Sequence, residues 1–254
     1  MFQFLKVFSL FALVPLINAA PEKRQFDPST YCGQYDSVVQ EPYTFYINQW
    51  GKIATTQGQS CGRITSLNGN TIGWENSWTW DGDGIKSYTN MNLNQGINKQ
   101  LSAIQSIPVD WQWSNQFSGS VVSNVALDLF TADAPGQKNA NEIMIWLANY
   151  NSQPISYNFD AQGNAVPVQT SVALAGQNWN LYIGTNTANV VFSFLPSTAG
   201  TEIKSFNTDV NVFAKYLANQ NLSQTQYLTT VQAGVEATSG SAVFTTTSYS
   251  AAVN

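Results

Sequence analysis

Short runs of β-branched and aromatic residues recur along the chain, and clusters of Gly, Asn, Ser and Pro separate them. Runs of this length are typical of β-strands, and the clusters are typical of turns. The runs are Ile72–Trp80, Val121–Phe130, Ile143–Leu147, Val166–Leu174, Trp179–Ile183, Val190–Leu195, Leu228–Glu236 and Ala242–Tyr249. Many short strands at this spacing predict an all-β sandwich or barrel.

One segment departs from the strand pattern. Residues Asp209–Asn219 place apolar side chains at the spacing of one helix face, namely Val210, Phe213, Ala214 and Leu217. Thr208 or Asp209 is available as the N-cap. We therefore expect a single α-helix packed on an all-β body.

The first residues have the composition of a targeting segment. Lys6 precedes an apolar run of eleven residues, Val7–Ile17, and small residues end the segment at position 20. Residues 1–20 are therefore interpreted as a secretory signal peptide, too short to span a bilayer. Residues 21–24 end in a dibasic pair, which predicts a short pro-segment; the alternative is a chance pair of surface charges. Residues 25–254 are expected to form one domain of a secreted, extracellular protein, and no later run is apolar for long enough to predict a membrane span.

The chain has two cysteines, Cys32 and Cys61. In an oxidising compartment an isolated pair is most simply one disulfide, which would stabilise the fold by roughly 3–4 kcal/mol in the chain-entropy model. Asn221 begins an Asn-Leu-Ser sequon and is a candidate for N-glycosylation.

The absence of histidine excludes several chemistries. The chain has 10 Lys plus Arg, 15 Asp plus Glu and no His, so Ser-His-Asp and Cys-His nucleophile systems cannot be built, and no metal site is predicted. The net negative charge argues against binding nucleic acid. Eight Trp and eleven Tyr among neutral polar residues suit an uncharged, hydroxylated ligand such as a sugar chain.

Acid and base chemistry in such a chain must come from carboxyl groups, and two predicted strands carry a Glu at a position that suits catalysis. On the first, alternation puts Glu142, Met144 and Trp146 on one face. On the second, Glu236 shares a face with small and polar residues. Retaining glycoside hydrolysis needs such a pair, one nucleophile and one proton donor. The alternative for either Glu alone is an ordinary solvent-facing strand position.

Asp128 is a third acid of interest because its strand neighbours are apolar. An Asp in such a setting must be paired or functional. It could hydrogen-bond a catalytic Glu and shift its pKa, or it could be a structural, hydrogen-bonded residue.

Several motifs, in order, carry a resemblance to a known family. The chain resembles glycoside hydrolase family 12, the secreted endo-β-1,4-glucanases and xyloglucan-specific endoglucanases, from Tyr31 to Asn254. The matching pieces are Tyr31–Tyr35, Asn48–Gly51, Trp78–Trp80, Ile85–Tyr88, Val125–Thr131, Glu142–Leu147 and Gln232–Glu236.

The resemblance implies a β-jelly roll of two curved antiparallel sheets with one helix. It also implies retaining, endo-acting hydrolysis with Glu142 as nucleophile, Glu236 as general acid/base and Asp128 supporting the nucleophile. By the same resemblance, Trp50 with Asn48 is expected to bind a glucosyl unit on the non-reducing side of the scissile bond. Met144 and Trp146 are expected to line the floor of the cleft, and Pro154 to lie near its edge. No cofactor is implied, and the expected partner is a polysaccharide bound by a monomer.

The preferred glucan and the class of function leave alternatives open. The motifs Trp111–Ser114, Thr230–Gly234 and Thr247–Ser250 resemble the xyloglucan-specific branch, while a cellulase acting on unbranched or mixed-linkage β-glucan is the alternative. Both Trp residues could lie in a cleft or in the core. A non-catalytic carbohydrate-binding jelly roll is the rival class, and a surface ligand sensed or inhibited by plant proteins is a third hypothesis.

Two departures from the family pattern flank Glu236. Val235 replaces the usual Thr beside the acid/base, and Thr238 replaces an aromatic residue. Both changes are expected to alter the environment of Glu236, so we expect lowered or pH-shifted activity.

Overall fold

The computed structural model describes residues 25–254, so the predicted signal peptide and pro-segment lie outside the described residues. The described chain is dominated by thirteen strands. They are β1 Ser37–Gln40, β2 Tyr43–Tyr46, β3 Gly58–Asn68, β4 Thr71–Trp80, β5 Ser87–Leu93, β6 Lys99–Gln100, β7 Pro108–Ala132, β8 Asn141–Tyr150, β9 Gln169–Leu174, β10 Gln177–Thr185, β11 Val190–Pro196, β12 Ser205–Asp209 and β13 Tyr227–Ala251.

Two long strands, β7 and β13, run through the whole molecule. Each has 25 residues, and they pair antiparallel from Val109 with Ala251 to Ala132 with Tyr227. The register shifts near the middle of β13, around Ser239. On one side of this shift β13 pairs with β5, and on the other it pairs with β4. The two strands therefore contribute to two layers that are joined in one hydrogen-bonded sheet.

The two layers have different partners. The nine-strand layer follows the order β1-β2-β5-β13-β7-β8-β11-β10-β9, and the five-strand layer follows β3-β4-β13-β7-β12. This arrangement confirms the predicted all-β jelly roll. One detail differs from the expected antiparallel sheets, because β8 and β11 pair in parallel.

Aromatic side chains fill the space between the layers. Phe45 of the nine-strand layer lies 6.4 Å from Trp74 of the five-strand layer, measured between ring centroids. Trp111 stacks on Trp74, and Trp113 packs on Phe244. Trp111 and Trp113 are 0% and 4% exposed, which settles the open question for both: they belong to the core. Burial of such large rings is the main stabilising contribution to a sandwich of this kind.

The predicted helix is present but shorter than expected. It begins at Asn211 and ends at Tyr216 as α1, and a 3-10 turn continues it over Leu217–Gln220. The N-cap is Val210, without a side-chain capping bond, so the expected N-cap at Thr208 or Asp209 is wrong. The carboxylate of Asp209 nevertheless accepts the backbone N–H of Asn211, the first helical residue, at 3.0 Å. Phe213 anchors the helix to the core, 5.0 Å from the ring of Phe194.

The predicted disulfide between Cys32 and Cys61 is confirmed. It ties the segment before β1 to β3, where Tyr31 also pairs with Gly62. Within residues 25–254, no helix is long and apolar enough to cross a bilayer.

Candidate active site

The central strands of the nine-strand layer carry a row of candidate site residues on one face. In an antiparallel pair, directly opposed residues point to the same side of the sheet. Met144 of β8 lies opposite Asp128 of β7, and Trp146 lies opposite Ala126. Glu142 shares this face, as the alternation predicts. The indole N–H of Trp146 donates to the sulfur of Met144 at 3.4 Å, which fixes the two side chains relative to each other.

Glu236 is presented by the neighbouring strand β13. It lies opposite Asn124 of β7 on one side and opposite Tyr88 of β5 on the other. The amide of Asn124 donates to Oε2 of Glu236 at 2.6 Å. This bond holds the carboxyl of Glu236 over β7, toward the strand that carries Glu142.

Glu142 and Glu236 line one cleft of about 320 Å³. Its floor contains Asn124, Met144 and Trp146, and its remaining lining comes from loops and strand ends, namely Trp50, Gly84, Ile85, Val122, Asn151, Ser152, Gln153, Ile155, Asn186 and Thr238. The cleft therefore combines two carboxyls with two indoles and several amides. Such a lining suits a neutral, hydroxylated ligand with an apolar ring face.

The carboxyl groups influence one another. Burial, together with the charge of Glu236, raises the pKa of Glu142 to about 7. Burial also raises the pKa of Glu236. The pKa of Asp128 is raised well above its ordinary value, first by burial and then by the charges of Glu142 and Glu236. Like charges brought together keep protons to higher pH, so the cluster holds protons that isolated carboxyls would lose.

Asp128 lies under this pair and is 5% exposed. Its Oδ1 is buried and has no hydrogen-bond partner among residues 25–254. A buried carboxylate oxygen without a donor is costly, whereas a protonated carboxyl can itself donate a hydrogen bond. The geometry therefore agrees with the raised pKa of Asp128 and favours its neutral form.

Two asparagines at the site are partners of the carboxyls that the sequence does not predict. Asn124 shares a strand face with Asp128, but its bond to Glu236 depends on the register of β7 and β13. Asn186 lies in the turn between β10 and β11 and donates to Oε2 of Glu142 at 2.9 Å. Its own side-chain oxygen accepts two backbone N–H groups of the same turn, which fixes its orientation.

The other residues expected to bind substrate occupy different places. Trp50 is 52% exposed and lines the cleft. Asn48, with a φ of 44°, accepts the backbone N–H of Tyr88 through its carbonyl, and Pro154 is buried beside cleft residues. Among residues 25–254, the cleft lining includes Trp50 but neither Asn48 nor Pro154.

The two departures flanking Glu236 separate in the structure. Val235 is 1% exposed and packs in the core on the face opposite to Glu236. The side chain of Val235 therefore does not line the cleft, because neighbouring strand residues point to opposite faces. The expected effect of Val235 on activity stays a prediction. Thr238 does line the cleft, so the missing aromatic ring at this position bears on the surroundings of Glu236.

The sequon residue Asn221 is exposed and ends the 3-10 turn with a φ of 67°. Its glycosylation stays a prediction.

Comparisons with known proteins agree with this geometry. Residues 41–254 match the model of Glycosyl hydrolase family 12. A probable xyloglucan-specific endo-beta-1,4-glucanase A of Aspergillus flavus is 41% identical over 254 residues, covering 98% of this chain and 100% of the relative. Endoglucanase 3 of Trichoderma harzianum, from family GH12, superposes with a TM-score of 0.79 at 30% identity, covering 91% of this chain and 100% of that chain. The catalytic domain of Humicola grisea Cel12A, solved with a thio cellotetraose, superposes with a TM-score of 0.78 at 30% identity. This match covers 89% of this chain and 99% of that chain.

Proposed function

The chain belongs to glycosyl hydrolase family 12, and on that premise we propose that it is an endo-β-1,4-glucanase whose preferred substrate is xyloglucan. The observation that carries this proposal is the placement of Glu142 and Glu236 in one cleft over a buried Asp128. Two carboxyls that face a common cleft are the minimum equipment for retaining hydrolysis, which needs only water besides the substrate.

In the proposed mechanism, Glu142 attacks the anomeric carbon while Glu236 protonates the departing glycosidic oxygen. A glycosyl-enzyme bond forms to Glu142 and the bond to the leaving sugar breaks. Glu236 then takes a proton from water, whose oxygen replaces Glu142 at the anomeric carbon. Asp128, held neutral by burial, would donate a hydrogen bond toward the nucleophile.

The raised pKa values of Glu142 and Glu236 support a proton that the two carboxyls share. Because the two charges disfavour each other, one proton remains on Glu142 and Glu236 together over a range of pH. The reaction requires this proton on Glu236 when the glycosidic oxygen approaches. The amides of Asn186 and Asn189 lower the pKa of Glu142, which favours its ionised form.

The glucan preference rests on relatives. The Aspergillus flavus protein bears a xyloglucan-specific name, which favours xyloglucan for this chain. The endoglucanase and Cel12A structures favour unbranched β-1,4-glucan as the second candidate. The motifs around Trp111 and Trp113 cannot decide between them by contact, since both rings lie in the core.

Secretion is part of the proposal. It is supported by the signal-like composition of residues 1–20 and by a disulfide that suits an oxidising compartment. A secreted glucanase of this kind would meet plant cell-wall glucan outside the cell, where plant inhibitor or receptor proteins are further candidate partners.

The test compares reducing-sugar release from xyloglucan, mixed-linkage β-glucan and carboxymethyl cellulose. We expect wild type to release most from xyloglucan, and Glu142→Gln and Glu236→Gln to lose about a thousandfold or more in kcat. Absence of release by wild type on all three substrates would favour a non-catalytic carbohydrate-binding protein.

The Glu142→Gln variant also provides its own folding control. A carboxyl whose pKa is raised in the folded state costs stability once pH exceeds its unfolded pKa, and the cost is complete above the folded pKa of about 7. We therefore expect the melting temperature of Glu142→Gln to exceed that of wild type by roughly 5 °C at pH 8, and to equal it near pH 4. An inactive variant with this signature is folded.

A further inference from the structure

A hairpin between β8 and β9 exposes aromatic side chains that the proposed mechanism does not use. Tyr157 and Phe159 are 59% and 57% exposed, and Val166 is 37% exposed. Exposed rings close together on a monomer commonly mark a binding surface. Here they lie within ten residues of one another along the chain, so they are not scattered single exposures.

The hairpin has a defined structure of its own. Phe159 pairs with Ala165, and the N–H of Val166 donates to the carbonyl of Asn158 at 2.9 Å. At the tip, the carboxylate of Asp160 accepts two backbone N–H groups of the turn. These bonds fix the backbone that carries the rings.

The pairing decides which side chains share a face. Tyr157 and Phe159 lie two residues apart on one arm, and both side chains are more than half exposed. Val166 lies opposite Asn158, next to the bridge between Phe159 and Ala165, so its side chain points away from that of Phe159. We name the exposed side chains of Tyr157 and Phe159 together the aromatic platform.

The platform is continuous with the cleft. Gln153 lines the cleft, and its side-chain oxygen accepts the N–H of Ala165 in the hairpin at 3.0 Å. Ile155 also lines the cleft and packs tightly over Gly184 of β10, where an added Cβ would come within 2.7 Å of it. The N–H of Tyr157 then donates to the carbonyl of Ile183 at 2.8 Å. The chain therefore passes without a break from cleft wall to platform.

The platform and Trp50 lie on opposite sides of the catalytic pair. Trp50 follows β2, which is on the β5 side of β13 and its Glu236. The hairpin is bonded to β10, which is on the far side of β8 and its Glu142. In strand order the sequence is Trp50, Glu236, Glu142 and then the platform. A polymer that crosses the cleft over both carboxyls would meet an aromatic surface at each end.

We propose that the Tyr157–Phe159 platform is a glucan-binding site that holds the leaving-group side of the substrate chain, opposite the site at Trp50. This inference rests on the proposed function, because it takes β-1,4-glucan as the polymer in the cleft. The apolar faces of pyranose rings stack on the two side chains, and the tyrosine hydroxyl faces sugar hydroxyls. Asp160 is the only charged residue between positions 151 and 168, and its carboxylate is engaged in the turn. The surface therefore suits a neutral polymer.

The experiment compares wild type with the double variant Tyr157→Ala/Phe159→Ala on two substrates. Polymeric xyloglucan reaches the platform, whereas an aryl β-cellobioside has a leaving group too short to do so. We expect KM for xyloglucan to rise about tenfold, as the loss of two aromatic contacts predicts. We expect kcat/KM for the aryl cellobioside to stay within about twofold of wild type, because the double variant leaves both carboxyls and Trp50 in place.

Two matched variants separate the rings from the hairpin fold. Val166→Ala removes an exposed apolar side chain from the opposite face of the same hairpin and should leave KM unchanged. The exchange Tyr157→Phe/Phe159→Tyr keeps both rings and should also keep KM. An unchanged KM in the alanine double variant, or an equal rise in Val166→Ala or in the ring exchange, would overturn the proposal.

Failure of the proposed function gives a different result. If wild type hydrolyses none of the polymers, the catalytic proposal fails, and the platform is then tested by retardation of the protein in gels containing xyloglucan. The proposal predicts weaker retardation of the alanine double variant than of Val166→Ala. Equal retardation of the two would contradict it.

Discussion

At the scale of single residues, Glu142 and Glu236 each accept a hydrogen bond from a different asparagine amide, and the two amides can be removed separately. Asn124 donates to Glu236 and lowers its pKa. Asn186 donates to Glu142 and lowers its pKa. An amide that donates to a carboxylate stabilises its charged form, so removal of the amide must raise the pKa of its partner.

The two alanine variants are expected to shift different limbs of the pH profile of kcat/KM. In Asn124→Ala, the proposed proton donor Glu236 keeps its proton to higher pH, so the basic limb of kcat/KM moves up by about one unit. In Asn186→Ala, the proposed nucleophile Glu142 ionises only at higher pH, so the acidic limb moves up by a similar amount. Measuring kcat/KM from pH 3 to pH 9 checks both. If Asn124→Ala shifts the acidic limb and Asn186→Ala shifts the basic limb, then Glu236 is the nucleophile and Glu142 is the proton donor.

The alternation of side chains along a strand is enough to place Glu142, Met144 and Trp146 on one face from the sequence alone. The same rule places Val235 on the core side of β13, on the face opposite to Glu236. Asn186 cannot be found in this way. It reaches a carboxyl 44 residues earlier in the chain, and the parallel pairing of β8 with β11 sets that contact.

At the scale of elements, the sequence predicts the long strands only in part. The runs Leu228–Glu236 and Ala242–Tyr249 belong to a single strand, β13, and Val121–Phe130 is one end of β7. The residues between the two runs of β13 include Ser239 and Gly240, which are typical of a turn. They bend the strand instead, because β7 stays hydrogen-bonded to it on both sides of the register shift. A bend differs from a turn here because the same strand, β7, pairs with β13 before and after Ser239, and the local sequence does not contain that information.

The bend in β13 depends on a glycine, and β7 offers a matched control. Gly240 has a φ of 93°, and an added Cβ would lie 2.5 Å from the carbonyl oxygen of Ser120. Gly119 also has a positive φ, 85°, but an added Cβ would meet nothing within 4 Å. We expect Gly240→Ala to lower the free energy of unfolding by about 3 kcal/mol or more, and Gly119→Ala by about 1 kcal/mol.

Urea unfolding monitored by tryptophan fluorescence measures both changes. The difference between the two variants isolates the steric contact, since the backbone strain is common to both. Equal destabilisation would mean that β13 accommodates the methyl group by shifting away from β7.

At the scale of the whole molecule, the surface relies little on ion pairs. Residues 25–254 contain two, Arg63–Glu75 and Lys204–Glu202, and all four side chains are about a third to a half exposed. Exposed pairs contribute at most about 1 kcal/mol each and are screened by salt. Stability must therefore come from the aromatic core and from hydrogen bonds.

This distribution predicts a melting temperature that barely responds to salt. Between about 0.05 M and 1 M NaCl we expect a change of no more than about 3 °C, measured by differential scanning calorimetry at pH 6. A fall of about 8 °C or more would show that the few charges contribute far more than their exposure suggests.

The path of β13 has a consequence for how the chain comes to its fold. It is the last of the thirteen strands in sequence, yet it lies between β5 and β7 in one layer and between β4 and β7 in the other. Its partners in β7 are about a hundred residues or more earlier in the chain. During synthesis, therefore, the strands on either side of β13 cannot be joined into either layer until β13 has been synthesised. Such late, non-local pairing slows folding, so we expect the chain to complete both layers only after its last strand has been synthesised.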